Sequence, residues 1–240
     1  MILRKKTAGH FLILFLSIAI ILGAERVGNA TSITTGTSNN NGSGYVGNMF
    51  DVIVKDNALK VTGLDVNILH FRDWATATVE LWTREGSFQE VMSDGHHAYE
   101  SQDYWTLVGS VSGIHGSADA NHFTYIDFPD FTLPASMVSG LYVWVQGDYM
   151  QTRYTSYGNT SPTDIGDVAA TNSDLDLLVG VTRTPRFNVS GLGLAVKWSG
   201  TIYYDSTPVP EPATILLVGG GLIGLAGFRG KKGSPTKGRV

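Results

Sequence analysis

Between Tyr45 and Asp205 the apolar residues recur at every second position in short runs, and no window carries the 3.6-residue stripe of a capped helix. Alternate side chains of a strand point to opposite faces, so runs of this kind bury one side only by lying in sheets. Phe50, Val52 and Val54 share one face, Leu64, Val66 and Ile68 another, and Val79 and Leu81 face away from Glu80. Trp105, Leu107 and Val111 alternate with Thr106, Val108 and Ser110. Leu141 to Val145 is apolar on both faces, as expected of a strand near the middle of the fold. Leu175 to Val181, then Val196, Trp198, Ile202 and Tyr204, complete the series. Turn residues separate the runs at Asp56-Asn57, Arg84 to Gly86, Ser112-Gly113, Gly147-Asp148 and Ser199-Gly200. About eight strands over roughly 160 residues predict an all-β fold: a single antiparallel β-sandwich, jelly-roll-like, over residues 45–205. The polar stretch from Thr31 to Gly44 reads as a flexible leader, and residues 86–103 as a long loop, functional or mobile.

Composition excludes several functions. The chain has no cysteine, which removes disulfides, thiolate metal sites and cysteine nucleophiles. Its net charge of -4 conceals a segregation: nine of the 17 basic residues, but only two of the 21 acids, lie in residues 1–30 and 210–240. The body between them is left with a net charge of about -11, which repels phosphate backbones, so no nucleic-acid partner is expected.

Both ends are apolar and flanked by cations. Arg4, Lys5 and Lys6 precede an uncharged run from Phe11 to Gly23, and Gly28 and Ala30 follow at small-x-small spacing. That order predicts a signal peptide over residues 1–30, a signal helix exported by the Sec translocon and cut by signal peptidase after Ala30. A 13-residue helix is about 20 Å long, short of the roughly 30 Å bilayer core. At the other end, Pro210 and Pro212 hold the chain extended ahead of an uncharged segment from Ala213 to Phe228, and Arg229, Lys231 and Lys232 close it. Residues 213–228 are the expected C-terminal transmembrane helix, crossing only about 24 Å, with the basic tail on the cytoplasmic side. Gly219-x-Gly221-x-x-Gly224 lies inside this run with no strand before it, and is not read as a nucleotide site.

Pro210-Glu211-Pro212, the Gly/Leu-rich run and the basic tail resemble the PEP-CTERM sorting signal. The tail, Arg229 to Val240, is more dilute than the compact Arg/Lys cluster usual in that family. The resemblance covers residues 209–232, within a sorting-signal segment set at 206–240, and implies a Gram-negative bacterium that makes exopolysaccharide. It also implies an exosortase that recognises Pro210, Glu211 and Pro212, a transient inner-membrane intermediate, and delivery to the cell surface or beyond. Phrases such as Gly-Leu-Asp-Val-Asn-Ile and Trp-Thr-Leu-Val-Gly in the body resemble exported bacterial β-sandwich modules.

No catalytic motif emerges from the body. Gly109-Ser-Val-Ser-Gly113 puts Val111 where a nucleophile elbow needs serine. Asp127 with Asp130 and Asp174 with Asp176 are the paired carboxylates a glycosidase would require, but a soluble acidic surface accounts for them. His96, His97, His115 and His122 fit no zinc spacing. The densest oxygen cluster, Asp164, Asp167, Asn172 and Asp174, is the candidate site for structural calcium, and no other cofactor is expected. Tyr149, Arg153, Tyr154 and Tyr157 supply aromatic faces beside hydrogen-bonding groups and are the candidate glycan-binding residues. The expected function is a non-enzymatic structural or adhesive protein of the cell surface or exopolysaccharide matrix. A carbohydrate-binding module, calcium-supported, is the first alternative, and a secreted polysaccharide hydrolase the second.

Overall fold

A computed structural model describes residues 31–36, 46–156, 164–187 and 193–206. The signal residues Gly28 and Ala30, the sorting motif Pro210 to Pro212, both expected membrane-routing helices and Tyr157 lie outside them. Among the described residues no helix is long and apolar enough to cross a membrane.

The body is built from strands. In chain order they are β1 (Thr31–Thr34), β2 (Gly47–Val54), β3 (Leu59–Val66), β4 (Ile68–His70), β5 (Ala77–Glu85), β6 (Thr106–Ile114), β7 (Thr124–Ile126) and β8 (Phe131–Leu133). The second half adds β9 (Val138–Gln146), β10 (Met150–Thr152), β11 (Tyr154–Ser156), β12 (Val168–Thr171), β13 (Leu175–Leu178), β14 (Gly180–Arg183), β15 (Ala195–Trp198) and β16 (Gly200–Ser206). One sheet runs β1-β16-β3-β7, with β8 also on β3. The larger runs β11-β15-β14-β2-β9-β5-β6, with β13 beside β2 and β12 beside β13; β4 and β10 form a separate ribbon. Every strand pair is antiparallel.

The two sheets share one core. The smaller contributes Ile33, Val61, Leu64, Val66, Ile126, Ile202 and Tyr204; the larger contributes Phe50, Val52, Val54, Val79, Leu81, Leu141, Val143, Leu175 and Trp198. Phe50 stacks on Trp198 with ring centroids 4.7 Å apart. As the two-sided pattern predicts, β9 lies between β2 and β5 and buries Leu141 to Val145 completely or nearly so.

Three expectations need correction. The leader begins as structure: Thr31 to Thr34 pairs with β16, and Ile33 is buried. Isoleucine among polar neighbours is enough to seat an edge strand. Ser199-Gly200 is not a reversal but a crossing, where the chain leaves the larger sheet and enters the smaller. A Cβ at Gly200 would meet Trp198 at 2.3 Å and the Asp65 carbonyl at 2.4 Å, so only glycine passes there. Thr35 secures the crossing, its N–H donating to the Gly200 carbonyl at 3.1 Å. Finally, β6 is bulged twice against β5. Val108 is the extra residue at one bulge, which turns Leu107 outward to 45% exposure while Val111 stays against the core. The other is Gly113, at φ +77, which is therefore a bulge and not a turn.

Register defines two poles. Ser206 pairs with Leu59 and Thr31 with Tyr204, so the described body begins and ends at the pole reached by the Val54–Leu59 turn. Val138 and Glu85 belong to the same pole. Gln146, Ala77 and Gly47 mark the opposite one, about 27 Å away along the nine residues of β9.

Candidate functional site

The aromatic sequence around Tyr149 does not form a surface. Arg153 is only 2% exposed, and its guanidinium donates to the carbonyls of Ser117 (3.3 Å) and Ala118 (2.7 Å). Burial lowers its pKa, with Asp119 opposing that shift. Its work is to hold the 115–122 loop, in which the Asn67 amide also donates to the Ala120 carbonyl at 2.7 Å. Tyr154 is fully buried. Of the four candidates, Tyr149 alone presents its ring to solvent among the described residues.

What Tyr149 meets instead is a neighbouring turn. Gly147 sits against the backbone of Thr76 and Ala77, so the turns 71–76 and 147–149 lie side by side at the pole away from the chain ends. The Phe71 N–H donates to the Tyr149 carbonyl at 2.9 Å and ties the two together. Trp74, 70% exposed, meets Tyr149 nearly at right angles with centroids 5.6 Å apart. The Arg72 guanidinium carbon lies 5.7 Å from the Tyr149 ring centroid, a cation–π contact, and Phe71 is half exposed beside them. Tyr149 holds φ at +63, a left-handed conformation that costs a side-chain-bearing residue on the order of 1 kcal/mol. Sequence reading missed Phe71, Arg72 and Trp74. The available signal was two aromatics interleaved with charge in Phe71-Arg72-Asp73-Trp74, out of phase with the strand alternation on either side.

The proposed calcium ligands do not converge. Asp164 and Asp167 bond each other's backbone at the start of β12, the Asp164 N–H donating to an Asp167 carboxylate oxygen at 3.2 Å. Asn172 and Asp174 lie beyond its other end. There the Asn172 side-chain oxygen accepts from the N–H groups of Asp174 (2.9 Å) and Leu175 (3.0 Å), and Tyr204 donates to Asp174 at 3.0 Å. Asn172 and Asp174 thus shape the β12–β13 turn. The paired acids are spent similarly, Asp130 on Lys60 at 2.5 Å and Asp176 on Lys55 at 3.0 Å. Among the described residues no three His, Asp or Glu side chains gather as a metal would require.

The long loop is ordered. Residues 86–105 fold back over the outer face of the larger sheet and build a second core from Phe88, Tyr99 and Trp105 with Met49, Trp82, Tyr142, Trp144 and Val181. His97 stacks on Tyr99 at 4.9 Å and bonds the Gln89 carbonyl through Nδ1 at 3.0 Å, so it belongs to this packing and not to a mobile segment. Asp51, on β2, anchors the near end: Ser87 Oγ donates to it at 2.5 Å and the Phe88 N–H at 3.0 Å. Burial raises its pKa to about 6, against the lowering effects of those two donors and of Arg84. Arg84 in turn pairs with Glu90 at 2.6 Å. Nearby, a cleft of about 200 Å³ is lined by Thr83, Arg84, Glu85 and Thr106. It is smaller than the roughly 300–1,000 Å³ of small-molecule sites.

The last described strand of this antiparallel β body, β16, thus closes at Ser206. Residues 208–232 match the PEP-CTERM protein-sorting motif. The motif implies an exported protein that passes through the membrane and is processed by an exosortase. No curated protein matches the chain. Among the solved structures that align with it are that of infectious bursal disease virus Gt strain (14% identity, TM-score 0.30) and the VP2 subviral particle of that virus (13%, 0.25). They cover 86% and 85% of this chain, which spans about half the length of each, 52% and 50%.

Proposed function

We propose that this protein is a non-catalytic, exported β-sandwich of jelly-roll type that exosortase processing delivers to the cell surface or exopolysaccharide matrix, where it serves as a structural or adhesive component. The observation that carries this reading is adjacency: β16 ends at Ser206 and the sorting motif starts at residue 208, so the folded body is joined directly to its routing signal. The charge distribution supports it as well, since an acidic body of about -11 between basic ends suits a payload that leaves the cytoplasm while its tail does not.

Mass spectrometry of the mature C-terminus, in cells with and without the exosortase, tests the reading. The expected product lacks the apolar segment 213–228 only when the protease is present, and fractionates with the surface or matrix. A C-terminus still carrying that segment in exosortase-positive cells refutes it.

A further inference from the structure

We propose that the corner formed by Phe71, Trp74 and Tyr149, with Arg72, is a binding site for a neutral polysaccharide. The ligand class rests on the surface or matrix reading above; the site itself rests on geometry. Three large aromatic residues stand in water within two tied turns, although the core a few residues away would hide them. Trp74 and Tyr149 meet at 76° between ring planes, forming two walls and not a flat plate. Such a corner can hold a pyranose by its apolar C–H face on one wall while its hydroxyls reach polar groups at the rim. Arg72, Asp73 and Asp148 provide that rim, all three exposed. The left-handed backbone of Tyr149, fixed by the Phe71 bond, spends strain to keep an aromatic ring outside.

Charge and position select the occupant. A single arginine among two acids, on a body of about -11, offers no field for a polyanion. Aromatic and basic residues also suit a lipid interface, but the body's C-terminal end, from which the sorting segment departs, is at the other pole. The corner therefore lies at the end of the body opposite Ser206, after which the sorting segment begins.

The full-length chain in detergent micelles tests the proposal by affinity electrophoresis through gels containing a neutral glucan, mannan or galactan, with alginate as the polyanion. Trp74 supplies a second readout, because Trp82, Trp105, Trp144 and Trp198 are all less than a tenth exposed. Iodide quenching in solution accordingly reports on Trp74. Retardation by at least one neutral polymer, together with loss of iodide access on adding it, is expected. Trp74→Ala should weaken retention at least tenfold, while Tyr125→Ala, removing from the smaller sheet a tyrosine as exposed as Tyr149, should leave it unchanged. Equal retention of wild type and Trp74→Ala overturns the proposal, as does retention by no neutral polymer. Loss of iodide access only with anionic lipid vesicles, or only as protein concentration rises, also overturns it, assigning the corner to a membrane or to a second copy. None of these outcomes depends on how the C-terminus is processed.

Discussion

Asp51 gives the fold a pH dependence whose size follows from its surroundings. The carboxylate lies beneath the 86–105 segment, 3% exposed, and desolvation raises its pKa from 3.8 to about 6. A shift of about two units corresponds to ~3 kcal/mol at 1.36 kcal/mol per unit. The folded state binds the proton more tightly than the unfolded chain, so this contribution is complete below pH 3.8 and is lost as pH rises through about 6. Asp51→Asn removes the titration and keeps the contacts: its oxygen accepts from the Phe88 N–H and its amide donates to Ser87 Oγ. Urea unfolding of both proteins at pH 4, 5, 6 and 7, with the difference taken at each pH, cancels every other titrating group. The variant should gain ~2.4 kcal/mol on wild type between pH 4 and pH 7, most of the full contribution, with the change centred near pH 5. A difference that is flat with pH, or that moves in favour of wild type, would refute the reasoning, because the Ser87, Phe88 and Arg84 interactions would then outweigh desolvation.

Gly180→Ala should destabilise by at least ~3 kcal/mol, since the new Cβ would stand 1.9 Å from the Met49 carbonyl oxygen in a central strand; a loss under ~1 kcal/mol in denaturant melts would contradict the packing. Trp198→Ala opens the core beneath Phe50 and should cost ~3–5 kcal/mol, again read by denaturant unfolding, where a cost below ~1 kcal/mol would rule out the stack. Arg153→Ala should speed amide hydrogen exchange across residues 115–122 and leave polysaccharide retention intact; unchanged exchange would mean that the guanidinium does not hold that loop.

The alternation of apolar residues was legible because burial on one face obeys a period of two, and Leu141 to Val145 even disclosed its central place. Two kinds of feature escaped that logic. Bulges change which side chains share a face without altering composition, so Leu107 and Val111 look equivalent in sequence and are not. The 86–105 segment lacks periodicity because it packs by single anchors, Phe88, Tyr99 and Trp105, onto a sheet face already formed. The candidate site was half legible: Tyr149 stood out in a tyrosine-rich stretch. Its partners Phe71, Arg72 and Trp74 are more than 70 positions away, brought to it by the pairing of β4 with β10 and of β5 with β9. Proximity in sequence had recruited Arg153 and Tyr154, which are buried one after the other where the chain passes from β10 into β11.

The placement of both ends of the body at one pole has a mechanical consequence. If the tail is fixed and a polymer pulls on the aromatic corner, tension enters β16 along its own axis. β16 is an inner strand, held by β1 on one side and by seven paired positions of β3 on the other. Lengthwise load is then shared by these ladders at once, in shear, instead of peeling them open one rung at a time. A body wired this way resists a pull applied between Ser206 and the opposite pole.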